Sequence, residues 1–275
     1  MSRKSFSLFT LLLVFALTFA GCVQPAPIAP GDAPAAAAPA AESASGDSAA
    51  APDTVAPGGV WTRVSSTDAS NLNPITQADA ASADISGMLS PGLIGVDPVS
   101  GQFVPAGSMS ESWEVSADGL TWTFHLRDGV LWSDGDPIDA ADFKYTYDAI
   151  ASDLVETPRK ANVESIESIE VVDPLTVVVT FKQVKCDGLT DVGLGWLPSH
   201  LFAADFSDIM QNEFNEAPSV SAGPFVFQSW TRDDNTILVR NDQYWEGAPP
   251  MDGMIFKVVP DPGARLAQLQ SGEVD

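Results

Sequence analysis

Between residues 60 and 275 the apolar positions switch repeatedly between a spacing of two and a spacing of three to four, the periods of strand and helix. Residues 61–65 alternate large and small side chains and predict a first strand. Residues 79–89 predict a helix that stops before Pro91-Gly92. Two strand-like runs, 112–116 and 120–127, flank Ala117-Asp118-Gly119, a hairpin signal. In the second run Trp122, Phe124 and Leu126 fall on one face, with Thr121, Thr123 and His125 on the other, so one face is predicted as core. Asp139 offers an N-cap to a helix over 140–151, where Phe143, Tyr147 and Ile150 form one stripe. Strands over 166–172 and 176–181 are joined through Pro174, whose fixed φ suits the second turn position. The arrangement repeats with 225–230 and 237–240 across 231–235. A further apolar strand covers 255–259, and Asp261-Pro262 opens a helix over 264–270. The pattern is that of a mixed α/β body rich in antiparallel pairs.

The amino end follows neither period. Arg3 and Lys4 precede an unbroken apolar run over 6–20, and Ala20-Gly21 leads into Cys22. That is the layout of a secretion signal, too short to span a bilayer of about 30 Å. A Cys directly after Ala-Gly resembles the lipobox of bacterial lipoproteins, although Phe19 departs from the usual Leu. The resemblance implies lipidation at Cys22, with several acyl chains anchoring the protein to a membrane face. Residues 23–59 are almost entirely Ala, Pro, Ser, Gly and Asp, without Lys, Arg or an aromatic side chain. Such a stretch buries too little apolar surface to offset its chain entropy. The expected organisation is therefore a signal peptide over 1–21, a disordered tether over 22–59 and a folded body over 60–275.

Charge narrows the possible partners. The 275 residues carry 13 Lys+Arg against 37 Asp+Glu, a formal charge of −24. Nucleic acid is excluded, because phosphate contacts need clustered cations. A hydrophobic content of 45% with seven Trp and 14 Phe excludes a wholly disordered chain. Two Cys cannot build a disulfide framework or a multi-Cys zinc site, so packing must hold the core.

Catalytic signatures are absent from the sequence: no Walker loop, dinucleotide fingerprint, His-Glu-x-x-His or Gly-x-Ser-x-Gly occurs. His125 and His200 have the surroundings of structural or surface histidines. The run Asp134-Gly-Asp-Pro-Ile-Asp139 lacks EF-hand spacing and reads as a turn feeding an N-cap. Nothing singles out a carboxylate pair for glycoside hydrolysis. Cys186 is either a buried small hydrophobe or the partner of a thiol outside this chain. No cofactor and no metal site is expected.

Two long stretches are less generic. Residues 110–150, SESWEVSADGLTWTFHLRDGVLWSDGDPIDAADFKYTYDAI, resemble the signature of the family 5 extracellular solute-binding proteins, the peptide-binding receptors of ABC importers. Residues 223–245, GPFVFQSWTRDDNTILVRNDQYW, are similar to a second block of that family. Asn73-Pro74, Pro91-Gly92-Leu93, Pro198-Ser199-His200 and the closing 269–275 run fall in the family's order, so the resemblance covers essentially all of 60–275.

The resemblance implies an α/β fold of the periplasmic-binding-protein type (type II), a bilobed clamp of which this chain represents mostly one incomplete lobe, the second lobe missing. A lobe alone is expected to bind solute weakly or not at all. The implied function is an extracytoplasmic receptor that delivers an oligopeptide or dipeptide to ABC permease subunits, held at the membrane by its lipid. Metal complexes, haem and oligosaccharides are alternative ligands within the family. A sensor built on the same clamp, or a secreted hydrolase, are alternatives outside it. By the family's layout the segments 66–71 and 88–90 and the loop before Gly223-Pro224 face the cleft. Candidate ligand contacts are therefore Ser66, Asp68, Asn71, Met88, Ser90 and Gly223. Trp230 and Trp245 read as packing residues.

Overall fold

The computed structural model describes residues 58–185 and 187–275. The expected signal peptide, the lipidation site Cys22, residues 22–57 of the expected tether, and Cys186 lie outside them. The described chain begins with Gly58 and Gly59 already held by Pro250 and Asp252, through N–H donations of 2.7 and 3.0 Å.

Ten strands and five α-helices follow. They are β1 (Val60–Ser65), α1 (Ala80–Leu89), β2 (Gly95–Val96), β3 (Phe103–Val104), β4 (Ser110–Val115), β5 (Thr121–Leu126), α2 (Ala140–Ala151), α3 (Lys160–Glu164), β6 (Ile166–Asp173), β7 (Thr176–Phe181), α4 (Gly188–Val192), β8 (Phe225–Thr231), β9 (Asn235–Arg240), β10 (Gly253–Val258) and α5 (Pro262–Ser271). Three single 3₁₀ turns lie between α4 and β8.

The strands form two four-stranded sheets and one small hairpin. The first sheet runs β1-β10-β9-β8 and the second β4-β5-β7-β6, while β2 pairs only with β3. Every pair is antiparallel except β1 with β10, which is parallel from Val60 opposite Gly253 to Ser65 opposite Val258. A parallel partner requires a long crossover, here nearly the whole body, so local pattern could not reveal it.

Local chemistry sets the predicted elements. The Asp79 carboxylate accepts from Ser82 N at 2.8 Å and starts α1. Asp139 and Asp142 form a reciprocal capping box at the head of α2. The β6–β7 turn is closed by Leu175 N donating to Asp173 at 2.8 Å, and its Pro174 carbonyl accepts from Ala140 N at 2.8 Å, docking the hairpin on α2.

Each sheet has its own core. Phe124 and Leu126 of β5 and Val177, Val179 and Phe181 of β7 turn one face onto Phe143, Tyr147 and Ile150 of α2, all of them buried. Leu238, Met254 and Phe256 of the first sheet meet Ala81, Ile85 and Leu89 of α1. Burying such side chains contributes about 1.5–3 kcal/mol each, which makes these two faces the main source of stability.

Candidate functional site

The end of α1 is the best-defined meeting point of distant segments. Its last carbonyl, Leu89 O, accepts from Ala222 N and Gly223 N at 3.0 and 2.9 Å, and Ser221 Oγ lies 2.7 Å away. Asn241 Nδ2 reaches Gly223 O at 2.9 Å from the far side. Ser90 Oγ donates to Trp196 O at 2.6 Å, and Gly92 pairs with Gly195 in an isolated antiparallel bridge. Three segments far apart in sequence thus converge on residues 88–92. Glycine permits that approach: a Cβ on Gly92 would lie 2.3 Å from Gly193 O, and one on Gly223 2.1 Å from Met88 O.

An open cleft of about 460 Å³ lies against this seam. Its walls are the α1 end from Ser86 to Gly92, the 193–195 loop, Pro74 and Gln77, and the side chains of Arg159 and Tyr244. The lining contains no Asp or Glu, in a chain whose formal charge is −24. Much of the wall is glycine, which presents backbone rather than side chains.

Of the sequence-predicted contacts, Met88 and Ser90 line this cleft, and Gly223 abuts it through Met88 while its neighbour Pro224 lines it. Ser66, Asp68 and Asn71 lie elsewhere. Ser66 is exposed. Asn71 shapes its own turn, with Oδ1 accepting from Asn73 N at 3.1 Å and Thr76 Oγ1 at 3.2 Å. Asp68 accepts from Trp230 Nε1 at 3.0 Å and Asp233 N at 3.0 Å, and it borders a smaller pocket of about 60 Å³ beside the Arg63–Asp84 ion pair.

Arg159 and Tyr244 line the cleft without having been singled out by the sequence. The one available signal for Arg159 was its pairing with Lys160 in a chain poor in cations. Thr157 donates to Ile75 O and accepts from Arg159 N at 2.9 Å, which fixes the backbone of this segment beside residues 75–77. Burial raises the Tyr244 hydroxyl pKa, and the nearby Glu246 carboxylate adds to the effect. Glu246 itself is exposed and outside the lining residues, accepting from Gly107 N at 3.0 Å and Tyr244 OH at 3.2 Å.

His200, Trp230 and Trp245 lie outside the cleft lining. His200 lies between Asp134 and Asp136, at 2.9 Å from Nε2 and 3.3 Å from Nδ1. Trp230 stacks under Arg232, and Trp245 under Arg127. Among the described residues no group of three His, Cys, Asp or Glu is placed to hold a metal, and no helix is long and apolar enough to cross a membrane.

With this geometry in place, comparison with known proteins decides the family. The bacterial extracellular solute-binding proteins, family 5 middle region, match residues 104–275. The chain belongs to that family. Among family 5 relatives it is similar to the oligopeptide-binding protein AppA of Bacillus subtilis, 30% identical over 74% of this chain and 38% of AppA. It is also similar to haem-binding protein A of Haemophilus influenzae, 30% identical over 61% of this chain and 34% of that protein. The solved structure of AppA in complex with a nonapeptide superposes with a TM-score of 0.74, at 29% identity, over 80% of this chain and 44% of AppA. NikZ of Campylobacter jejuni in complex with Ni(L-His) gives a TM-score of 0.70 at 26% identity, over 78% of this chain and 42% of NikZ. The chain thus spans about two fifths of the length of the relatives it matches. The sheets and helices described above are those of family 5 binding proteins, as the resemblance implied.

Proposed function

We propose that this chain supplies a solute-facing wall of an extracytoplasmic receptor that delivers a solute, in the first place a peptide, to an ABC importer, and that it performs no catalysis. The observation that carries the reading is the glycine-rich cleft at the end of α1, in a chain that shares its fold with AppA, whose structure holds a nonapeptide. Backbone walls suit a ligand recognised mainly by its own backbone: N–H and C=O groups give affinity without selecting side chains. The relatives that bind haem or a nickel complex keep a non-peptide solute as the second reading. We place the receptor at the membrane through lipid on Cys22, with residues 22–59 as the tether and permease subunits as its partner. Closure of a clamp on solute would give the permease a distinct shape to recognise.

The test is made in the cell of origin. Removing the gene is expected to reduce uptake of short peptides, and Cys22→Ala to move the protein from the membrane fraction to the soluble extract. Unchanged uptake of peptides, metal complexes and haem alike would contradict transport. Retention of the Cys22→Ala protein on membranes would contradict the anchor.

A further inference from the structure

We propose that Asp128-Gly129 is a covalent modification site: the folded chain converts Asp128 to isoaspartate there, ahead of every other Asp-Gly pair. The inference stands apart from the receptor reading and involves no solute.

The sequence holds five Asp-Gly pairs, beginning at 118, 128, 134, 187 and 252, and no Asn-Gly. In such a pair the Gly nitrogen attacks the Asp Cγ. The new N–Cγ bond forms as the Cγ–OH bond breaks, and the amide proton leaves with that hydroxyl as water. Water then adds to the main-chain carbonyl of the ring and breaks its bond to the Gly nitrogen, so that the chain runs on through Cγ. One water leaves and one enters, and nothing is oxidised or reduced. Glycine permits the approach because it carries no Cβ. All five pairs share that residue, so the fold decides which one reacts: the N–H and the carboxyl must both be released from their partners, and the backbone must be free to turn.

Four of the pairs are held. Asp118 accepts from Leu120 N at 3.0 Å, and Gly119 N donates to Ser116 O at 2.9 Å. Asp134 lies 2.9 Å from His200 Nε2, and Gly135 N donates to Trp132 O at 2.8 Å. Asp252 accepts from Gly59 N at 3.0 Å and Arg240 Nη1 at 2.8 Å, while Gly253 is buried in β10. Asp187 lies 3.8 Å from Lys185 Nζ, and Gly188 is buried at the start of α4. At 128–129 neither the carboxylate nor the Gly129 N–H has a partner among the described residues. Both residues are exposed in the turn after β5, and the space beside the Gly129 Cα is open. The neighbouring Arg127 donates to Ser108 O at 2.9 Å and Pro105 O at 2.8 Å, on either side of Gly107 in the cleft wall. An extra backbone carbon beside Arg127 loosens that tie.

The experiment ages this chain over weeks at neutral pH in ¹⁸O-labelled water, folded and in urea, and maps isoaspartate by electron-transfer fragmentation of its peptides. Each ring opening leaves one ¹⁸O as a second marker. In the folded chain isoaspartate at 128 is expected to lead every other pair by about tenfold, the factor that one charge-assisted hydrogen bond supplies. In urea the five rates are expected to converge. Asp128→Glu, which would have to close a larger ring, is expected to lose the modification at 128. The ¹H–¹⁵N signals of residues 107–109 are expected to shift in the aged chain and to stay in place in the aged variant. A second pair keeping pace with 128 in the folded chain would overturn the proposal. So would the same lead persisting in urea, because local sequence rather than the fold would then set it. Unshifted signals at 107–109 in the converted chain would overturn the loosening of the cleft wall.

Discussion

Asp68 gathers Trp230 Nε1 and the backbone N–H of Asp233 onto one carboxylate. Asp233 needs this support, because it holds a left-handed φ of 60° without being glycine. Arg232 adds a second tie, donating to Ala69 O at 3.1 Å while lying over the Trp230 ring. Asp68→Ala leaves two donors without their acceptor and is expected to destabilise the fold by about 2 kcal/mol, read as a lower midpoint in urea. A midpoint equal to that of the unsubstituted chain would show the clamp to be idle. Asp79 gives the matching acid-side prediction. Its burial pushes the carboxyl pKa up, but hydrogen bonds from Ser70 and Ser82 outweigh that and hold it below the usual carboxylate range. A depressed pKa stabilises the fold above the unfolded value and loses that contribution as pH falls through the folded one. Stability should therefore drop below about pH 4, and Asp79→Asn should flatten part of the drop in melting temperature. An identical acid profile for Asp79→Asn would argue against Asp79 as a contributor. The sequence reading names Asp68 and Asn71 as candidate ligand contacts. Asn71 bonds within its own turn, but the donors that Asp68 satisfies lie up to 165 residues away, and no local pattern encodes that.

At the scale of elements the agreement is close where a strand or helix is fixed by its own residues. The N-caps Asp79, Asp139 and Asp261 each start a helix where the spacing placed one. The three predicted hairpins form, with the 117–119 turn carried by Gly119 at φ 74°. Short elements escaped notice: α3 and α4 have five residues each, and β2 and β3 two each. Such lengths hold little more than one hydrophobic period, and tertiary contacts rather than propensity keep them ordered. The cleft belongs to this hidden part, since its seam is a contact between the α1 end, the 193–195 loop and residues 221–224. Gly223→Ala tests that seam. Its methyl would meet Met88 O at 2.1 Å, inside any tolerable contact. The expected cost is about 1–3 kcal/mol, with amide shifts concentrated at residues 88–92. A fully stable variant with an unperturbed α1 end would show that the seam can yield.

At the scale of the whole set of described residues, two cores and two four-stranded sheets meet along one seam, and one parallel contact, β1 with β10, joins the first described strand to the last. Further ties continue it: Asp275 N donates to Thr62 O at 3.0 Å, and Thr62 N to the Asp275 carboxylate at 2.9 Å. Family membership and class of fold were legible in the 110–150 and 223–245 stretches, because those residues build the β4–β5 hairpin with α2 and the β8–β9 hairpin. The place of Arg159 in the cleft wall was not legible, because it depends on segments distant in sequence that meet only in the folded chain. The central claim is that the protein captures a solute rather than transforming one. Native mass spectrometry of the protein recovered from its own cells tests it most directly. One peptide or other small solute per protein molecule, released unaltered on denaturation, is the predicted result. Recovery of the protein without any solute, together with chemical conversion of peptides added to it, would contradict the account.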